Sequence, residues 1–491
     1  MYDFDPSAVR VPNGHFIDGR LVPGSGNTIA VRRPTDNAVC ADLPLADADT
    51  VDEAVQNAAH AYATTDWSTG APRSRARLLR RWADLIEANR VALGQLEALS
   101  STRPVKDAIE IDIPYAADCI RFFAEFADKL GGEIAATRAD HLGMVTSEPY
   151  GVVAAISPWN FPITQAITKI APALAAGNAV VLKPSEMTPF SALALAELAI
   201  EAGIPRGIFN IVQGTGAVTG DLLCRHPAIG KISFTGSTRT GEAIMTASAQ
   251  SGIKPVTLEL GGKSPQLVFA DVPDIDRVAH AVAGSILNNA GQVCVAGSRL
   301  IVQRSVEVQL LERIIDLTKA IRPGPTWASA TTYSPVISHP QMARIDGIVK
   351  RAIAGGAGAL IGGAPLSTGE EGAYYQPTIL SGLEAGAEAI REEIFGPVLT
   401  VQSFEDEEEG LALTDHEYGL AAGVYTGDIN RALRARRRIQ AGTIWVNRYG
   451  RSADFIVPTG GFNHSGIGKD LGRQAVEANL RHKSTLIAFD A

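Results

Sequence analysis

The sequence has few of the residues on which several classes of protein depend. It contains 4 cysteines among 491 residues, none at C-x-x-C spacing, which excludes a disulfide framework and a zinc-ribbon site. The formal net charge is 44 − 53 = −9, whereas nucleic-acid binding depends on an excess of Lys and Arg. We therefore expect reduced thiols, no metal site and no nucleic-acid partner.

Long apolar runs are also missing. The uncharged stretch at residues 149–168 is interrupted by Pro158, Asn160, Pro162 and Gln165, so it does not resemble a membrane helix. The N-terminus opens with aspartates instead of the basic and then apolar pattern of a signal peptide. Because 46% of the residues are hydrophobic and the chain is long, we expect a globular cytoplasmic protein of about two to four domains without a membrane partner.

Short β-branched runs alternate with helical patterns from residue 151 onward. The first set reads GVVAAIS, NAVVLKP, IFNIVQG, KISFTG and PVTLELG, and this spacing predicts a doubly wound parallel sheet with right-handed crossovers. A second alternation between Lys263 and Asn447, with a helix around residues 278–289, predicts a second α/β domain. The C-terminal KSTLIAF predicts a strand at a sheet edge. Ligands of such sheets bind at the carboxyl ends of the strands.

Several familiar motifs are incomplete. The run G-S-T-R-T-G at residues 236–241 has P-loop spacing, but Glu242 replaces the phosphate-binding lysine. His416-Glu417 begins a zinc-protease string, but Leu420 replaces the second ligand. The sequence has no G-x-S-x-G nucleophile elbow. These gaps argue against a nucleotide triphosphatase, a zinc protease and a serine hydrolase.

Three other residues have the chemistry of a reaction centre. Cys294 lies among small residues in NNAGQVCVAGSR, Glu259 ends the last strand of the first set, and Asn160 follows the first strand. A thiol, a carboxylate and an amide at converging loops make a plausible nucleophile, base and oxyanion donor. The alternatives are an inert buried cysteine and a carboxylate that is merely paired.

The motifs SPWNFP, KPSEMTP, FTGSTRTG, LELGGKSP, GQVCVAGSR, EEIFGPV and GGFNHSGIGKDLG occur in this order along the chain. With these motifs the sequence resembles the NAD(P)-dependent aldehyde dehydrogenase superfamily from about His15 to Phe489. The resemblance implies a Rossmann-like cofactor domain at 1–121 and 142–259 and a catalytic domain at 260–457. It also implies an oligomerisation arm at 122–141 and 476–491, with 458–475 returning to the cofactor domain, and a homodimer or homotetramer.

The resemblance also implies the chemistry. Cys294 would be the nucleophile, Glu259 the general base, and Asn160 with the main-chain N–H of Cys294 the oxyanion hole. An aldehyde would be oxidised through a thiohemiacetal and a thioester to the carboxylic acid. The cofactor would be NAD, with NADP as the alternative, and would be held by Ile156, Trp159, Lys183, Glu186, Gly216, Phe234, Ser237, Leu260, Glu393 and Phe395. Lys169 and Asp470 resemble proton-relay residues, or else form a buried ion pair.

Substrate preference depends on residues outside these motifs. Phe161, Thr164, Gln165 and Thr168 follow Asn160 at helical spacing, and they predict a partly polar wall. IDIPYAADCIRFF resembles the corresponding helix of γ-glutamyl-γ-aminobutyraldehyde dehydrogenases. Asp112 in this segment would attract a substrate ammonium group, or else it caps a helix or lies on the surface.

Two departures from the family pattern indicate a different substrate group, a carboxylate. Thr459 stands where relatives commonly have Phe, and NRYGRSADFIVP differs from the usual stretch. Arg448 and Arg451 in that stretch would favour a substrate carboxylate. We therefore expect a γ-glutamyl-γ-aminobutyraldehyde or related aminoaldehyde as substrate, with a broad-range, semialdehyde or aromatic aldehyde dehydrogenase as the alternative.

Overall fold

A computed structural model of the protein describes residues 2–24, 26–384 and 386–489. Its α-helices are α1 Ala48–Thr64, α2 Pro72–Ala88, α3 Arg90–Ser100, α4 Val105–Asp107, α5 Ile113–Ala124, α6 Pro162–Ala175, α7 Phe190–Glu201, α8 Asp221–Arg225, α9 Thr238–Gln250, α10 Ile275–Leu287, α11 Arg304–Lys319, α12 His339–Ala354, α13 Glu388–Arg391, α14 Glu407–Ala412, α15 Ile429–Arg438 and α16 Gly472–Glu477. None of these helices has the combination of length and apolar composition that crossing a membrane requires.

Its strands form two large sheets and three small ones. They are β1 His15–Ile17, β2 Arg20–Val22, β3 Thr28–Arg32, β4 Val39–Pro44, β5 Glu133–Ala135, β6 His141–Pro149, β7 Val152–Ile156, β8 Ala179–Lys183, β9 Phe209–Ile211, β10 Ile229–Thr235, β11 Val256–Glu259, β12 Pro265–Val268, β13 Arg299–Gln303, β14 Gly358–Ile361, β15 Thr378–Ser381, β16 Val398–Phe404, β17 Tyr418–Gly419, β18 Ala421–Tyr425, β19 Thr443–Val446, β20 Phe462–Asn463, β21 Gly466–Ile467 and β22 Leu480–Ala488.

The first large sheet has the order β2-β1-β9-β8-β7-β10-β11-β21. Its five central strands are parallel, from β9 through β8, β7 and β10 to β11. Strand β7 is buried throughout and so is most of β10, because helices cover both faces of such a sheet. The predicted doubly wound parallel sheet is therefore confirmed.

The second large sheet has the order β14-β15-β16-β13-β12-β18-β19. All its pairs are parallel except that of β14 with β15. Helix α10 ends at Leu287, short of the predicted 289, because Asn289 and Ala290 have positive φ angles of 50°. This left-handed bend starts the loop that carries Cys294.

A separate three-stranded antiparallel sheet has the order β22-β6-β5. Strand β22 pairs with β6 along its whole length, and its residues are largely exposed. The exposed fractions of Ile134 and Leu486 are 72% and 66%. Strands β5 and β22 lie within the two ranges of the predicted arm.

Candidate active site

The loop with Cys294 lies between α10 and β13 and folds back sharply. Asn289, Ala290 and Gly291 follow one another with φ values of 50°, 50° and 73°. A Cβ atom on Gly291 would overlap the main-chain oxygen of Gly396, so this bend requires glycine. The loop thereby packs against the segment that contains Phe395.

Asn160 lies beside this loop, as the sequence predicted. Its Nδ2 donates a hydrogen bond to the main-chain oxygen of Gln292 at 2.9 Å, and Nδ2 of Asn289 donates to the main-chain oxygen of Asn160 at 2.8 Å. Asn160 is buried. These bonds hold the Asn160 amide against Gln292, which lies two residues before Cys294 in the chain. The amide has a second N–H that can donate to a ligand.

Glu259 ends β11 beside Thr235 of β10 and Gly466 of β21. The residue is 5% exposed, and its Oε1 has no hydrogen-bond partner. Burial raises the pKa of this carboxyl well above its ordinary value, and the Asp470 carboxylate raises it further, whereas the Lys169 ammonium opposes the shift. The shift favours the protonated form of Glu259, and nearby positive charge favours its ionised form.

Burial likewise raises the pKa of the Cys294 thiol, although the Arg451 guanidinium acts in the opposite direction. A charged Glu259 carboxylate raises the pKa of the Cys294 thiol further. A resting pair of neutral groups follows from this arrangement. Deprotonation of the thiol then needs a base or a favourable charge nearby.

Two cavities meet at Cys294. One of about 790 Å³ is lined by Trp159, Ser237, Leu260, Glu393 and Phe395 of the predicted cofactor residues. The other, of about 540 Å³, is lined by the predicted wall residues Phe161, Thr164, Gln165 and Thr168. Cys294 and Gln165 line both. A molecule in each cavity would therefore reach the thiol from a different side.

The larger cavity, termed here the cofactor cleft, has an aromatic end and a helix N-terminus. The rings of Trp159 and Phe395 contact edge to face, with centroids 5.3 Å apart. Ser237 caps α9, where its Oγ accepts a hydrogen bond from the main-chain N–H of Thr240. The N-terminus of a helix favours anionic groups such as phosphate.

Glu393 is held by main-chain contacts. Its Oε1 accepts a hydrogen bond from the N–H of Gly262 at 3.0 Å, and a Cβ atom on Gly261 would collide with its carboxylate. Burial raises the pKa of Glu393 to about 7, while the bond from Gly262 opposes that shift. Arg344 donates to the main-chain oxygens of Glu393 and Ile394, both at 2.7 Å.

The remaining predicted cofactor residues lie at the carboxyl ends of the first sheet. Ile156 is paired with Lys183 on one side and with Phe234 on the other. Lys183 Nζ donates to the main-chain oxygen of Gly214 at 2.7 Å and lies 3.3 Å from Oε2 of Glu186. A Cβ atom at Gly216 would meet open space. These five residues do not line the cofactor cleft itself.

The cleft fits a dinucleotide. The hydroxyl of Thr235, which lines the cleft, is buried without a hydrogen-bond partner. A helix N-terminus, an unpartnered hydroxyl and a buried carboxylate are groups that pyrophosphate and ribose bind. Among the described residues no cluster of His, Cys, Asp or Glu has the arrangement of a metal site.

The structure corrects the prediction for Asp112. The residue is 3% exposed, and its carboxylate accepts two hydrogen bonds from Arg103, at 2.7 and 3.2 Å. Because Arg103 neutralises this carboxylate, Asp112 is neither a free attractor of ammonium nor a surface cap. Sequence could not reveal this pairing, since nothing in the motifs links Asp112 to Arg103.

Lys169 and Asp470 form the buried ion pair that the sequence left as an alternative. Nζ of Lys169 lies 2.7 Å from Oδ2 of Asp470. Thr459 belongs to the same region, because its Oγ1 donates to the main-chain oxygen of Asp470 at 3.2 Å. Thr459 therefore packs against Asp470 of this ion pair.

Several residues that line the cofactor cleft were missed from sequence. Gln341 and Arg344 of α12 bond to the main chain of residues 393–395, and Gln341 Nε2 donates to Phe395 at 2.9 Å. Tyr418 and Arg239 line the cleft as well. Gln341 and Arg344 lie in an ordinary amphipathic helix, so no local signal marks them.

Comparison with known proteins agrees with this geometry. The sequence profile described as "Aldehyde dehydrogenase family" matches residues 21–485. The chain belongs to the aldehyde dehydrogenase family. The predicted family, fold and NAD(P)-dependent aldehyde-oxidising activity are thereby confirmed.

Individual relatives cover almost the whole chain. It is 40% identical to the NADP/NAD-dependent aldehyde dehydrogenase PuuC of Escherichia coli (strain K12) over 487 residues, 99% of this chain and 97% of the relative. The γ-glutamyl-γ-aminobutyraldehyde dehydrogenase structure from Burkholderia cenocepacia J2315 has a TM-score of 0.96 at 41% identity, covering 99% of this chain and 98% of that one. The P. syringae indole-3-acetaldehyde dehydrogenase structure with NAD+ has a TM-score of 0.96 at 39% identity, with 99% and 98% coverage.

Proposed function

We propose that the chain oxidises an aldehyde to its carboxylic acid with NAD+, with NADP+ as the alternative acceptor, and that Cys294 carries the acyl group. The observation that supports this most strongly is the meeting of two cavities at Cys294. Asn160 is bonded to the same loop, and the buried Glu259 carboxyl interacts electrostatically with the thiol. This arrangement supports Cys294 as nucleophile, Asn160 as oxyanion donor and Glu259 as base, three residues far apart in the chain.

The first half-reaction forms the acyl enzyme. The Cys294 thiolate adds to the aldehyde carbon, and the charge that develops on the oxygen is stabilised by the Asn160 amide and the main-chain N–H of Cys294. Bound NAD(P)+ supplies the acceptor for the hydride that leaves the thiohemiacetal carbon. A thioester then remains on Cys294.

The second half-reaction releases the product. Glu259 takes a proton from a water molecule as that water adds to the thioester carbonyl. The tetrahedral intermediate expels the Cys294 thiolate, and the carboxylic acid leaves. Hydrolysis, and not transfer to coenzyme A, is expected because this carboxylate is present next to the thiol.

Binding of the cofactor is assigned to the residues described above. Trp159, Ser237, Leu260, Glu393 and Phe395 line the cleft, while Ile156, Lys183, Glu186, Gly216 and Phe234 lie at or near the strand ends beyond it. The Glu186 carboxylate would accept hydrogen bonds from ribose hydroxyls and repel a 2′-phosphate, which favours NAD. The Lys183 ammonium lies beside it and keeps NADP as the alternative.

The first substrate class to test is a γ-glutamyl-γ-aminobutyraldehyde or related aminoaldehyde. Full-length similarity to a γ-glutamyl-γ-aminobutyraldehyde dehydrogenase supports it, as does the polar wall formed by Thr164, Gln165 and Thr168. A broad-range, semialdehyde or aromatic aldehyde dehydrogenase is the alternative, and the similar indole-3-acetaldehyde enzyme supports its aromatic form.

Replacement of the nucleophile tests the mechanism. Cys294→Ala should abolish NADH formation from every aldehyde while cofactor binding, measured by quenching of tryptophan fluorescence, persists. Cys40→Ala is the matched control, because Cys40 is a free, half-buried thiol outside both cavities. Turnover retained by Cys294→Ala would contradict the mechanism.

We also propose that the chain assembles as a homodimer or homotetramer in the cytoplasm. The exposed sheet of β5, β6 and β22 supports an assembly in which strands join across subunits. All four cysteines are free, which fits a reducing compartment. Light scattering coupled to size exclusion should give a multiple of 51.7 kDa, and a monomer mass would contradict this assembly.

The division into domains at residues 259 and 457 likewise remains our proposal.

A further inference from the structure

The cavity beside Phe161, termed here the substrate cavity, carries more charge than its polar wall alone would suggest. Its charged lining consists of Arg103, Asp107, Asp112 and Arg451, and His280 also faces it. A fixed charge in such a cavity selects substrates when no protein group neutralises it. The partners of each charged group therefore decide which kind of aldehyde this cavity favours.

Arg103 is not available to a substrate. Its guanidinium bonds to Asp112 at 2.7 Å, lies 3.8 Å from Asp107 and donates to Oδ1 of Asn288 at 3.1 Å. It also stacks over the ring of Phe161, 4.7 Å from the centroid. Each of its three nitrogens thus donates a hydrogen bond, and its charge is balanced within the protein.

The position of Arg448 excludes it as a residue that binds the substrate. The residue is exposed, does not line the substrate cavity, and donates a hydrogen bond to the main-chain oxygen of Gly450 at 3.2 Å. A substrate bound at Cys294 would not reach it. Of the two arginines that the sequence offered for a substrate carboxylate, Arg448 therefore serves as a control for its neighbour Arg451.

Arg451 differs from both Arg103 and Arg448. It lines the substrate cavity together with Cys294, and its Nε is buried without a hydrogen-bond partner. No ion pair joins it to a carboxylate of residues 2–24, 26–384 or 386–489. Arg451 as a whole is half-buried, and its buried N–H without an acceptor is costly unless a ligand supplies one.

The position of Arg451 is fixed close to the reacting thiol. Tyr449, two residues earlier, donates from its hydroxyl to the main-chain oxygen of Val295 at 2.9 Å. Val295 is the neighbour of Cys294 in the chain. The acidic groups that face Arg451 are Cys294, Tyr115, Glu259 and Asp470, and of these Asp470 is already bonded to Lys169.

We infer that Arg451 binds a carboxylate of the substrate, so that the enzyme prefers aldehydes with an anionic group over neutral or cationic ones. The planar guanidinium donates in a fork that matches a carboxylate. A short dicarboxylic semialdehyde and a γ-glutamyl conjugate both carry such a group, at different distances from the aldehyde. This inference rests on the proposed function and names the substrate class of the same site.

Three aldehydes of similar size test the preference. Succinate semialdehyde is anionic, 4-methylpentanal is its neutral isostere, and 4-(trimethylammonio)butanal is cationic and cannot cyclise. Loss of a hydrogen-bonded charge pair corresponds to a decrease in kcat/KM of about 10–100-fold. The value of kcat/KM for the anionic aldehyde should therefore exceed that for the neutral one by about this factor. γ-Glutamyl-γ-aminobutyraldehyde, as a fourth substrate, distinguishes a near carboxylate from a distant one.

Variants then assign the preference to Arg451. Arg451→Gln should reduce the ratio of kcat/KM between succinate semialdehyde and 4-methylpentanal to near unity, chiefly through KM, and Arg451→Lys should retain part of it. Arg448→Gln should leave the ratio unchanged. The ratio within one variant does not depend on the fraction of folded enzyme, so a partly unfolded variant still gives a result.

Three outcomes would overturn the inference. The first is a wild-type enzyme that oxidises the neutral or cationic aldehyde as efficiently as the anionic ones. The second is an Arg451→Gln variant with an unchanged ratio. The third is an equal loss on all substrates with slower alkylation of Cys294 by iodoacetamide near neutral pH, which would assign Arg451 to the thiol alone. Failure to reduce NAD+ or NADP+ with any aldehyde would instead contradict the proposed function.

Discussion

Replacing Glu259 by Gln separates the two half-reactions of the proposed mechanism. The amide has nearly the shape of the carboxyl but cannot accept a proton from water. Since Oε1 of Glu259 has no hydrogen-bond partner, the replacement breaks no bond that the structure contains. We therefore expect a folded enzyme that forms the thioester and hydrolyses it slowly.

The size of the effect follows from the role of a general base. Positioned proton transfer contributes about 10²–10⁴-fold, which is about 2.7–5.4 kcal/mol of barrier at about 1.36 kcal/mol per factor of ten. In rapid mixing, Glu259→Gln should give a burst of NADH approaching one equivalent per active site, followed by a steady state slower by this factor. The wild-type enzyme is the reference for the burst.

The pH dependence of hydrolysis gives a second readout. Because burial raises the pKa of Glu259, the wild-type deacylation rate should increase with pH until this carboxyl is ionised. The variant should lack that increase. A burst that slows in parallel with the steady state would contradict our assignment, because Glu259 would then act mainly on the Cys294 thiol.

The same pKa shift determines a stability difference. A carboxyl whose pKa is raised on folding binds more protons in the folded chain than in the unfolded one, so stability falls as pH rises above the ordinary glutamate value. Glu259→Gln removes that loss. The melting temperature of Glu259→Gln should exceed that of the wild type at about pH 8.5. It should approach the wild-type value at about pH 4.5, where the side chain at position 259 is neutral in both folded proteins.

Two further substitutions test the surroundings of the thiol. Asn160→Ala should lower the burst rate by about 10²–10³-fold, and an unchanged burst would show that the main-chain N–H suffices. Asp112→Asn should destabilise the protein to urea by up to about 3–5 kcal/mol, because the buried Arg103 loses the carboxylate that accepts two of its hydrogen bonds. The exposed Asp118→Asn should cost less than about 1 kcal/mol. Equal stability of these two variants would contradict the structural role of Asp112.

Much of the candidate site could be predicted because its residues lie in contiguous sequence motifs. Glu259 and Asn160 follow strands of the first sheet, which brings such ends to one edge, whereas Cys294 lies in the loop between α10 and β13. Topology therefore places Glu259 and Asn160 at one edge, whereas only the packing of the two sheets brings Cys294 there. The side chains that hold residues 393–395 could not be found in this way, because Gln341 and Arg344 come from a helix about 50 positions earlier.

By itself the sequence determined the family and the fold and indicated Cys294 as the proposed nucleophile, since these depend on local patterns and their order. Only the tertiary structure decided what the charged residues do. Asp112 and Arg451 were read as opposite attractors of substrate, yet one is neutralised by Arg103 and the other has no partner among the described residues. The effect of a charge depends on which groups surround it and how deeply it is buried, and neither property is encoded locally.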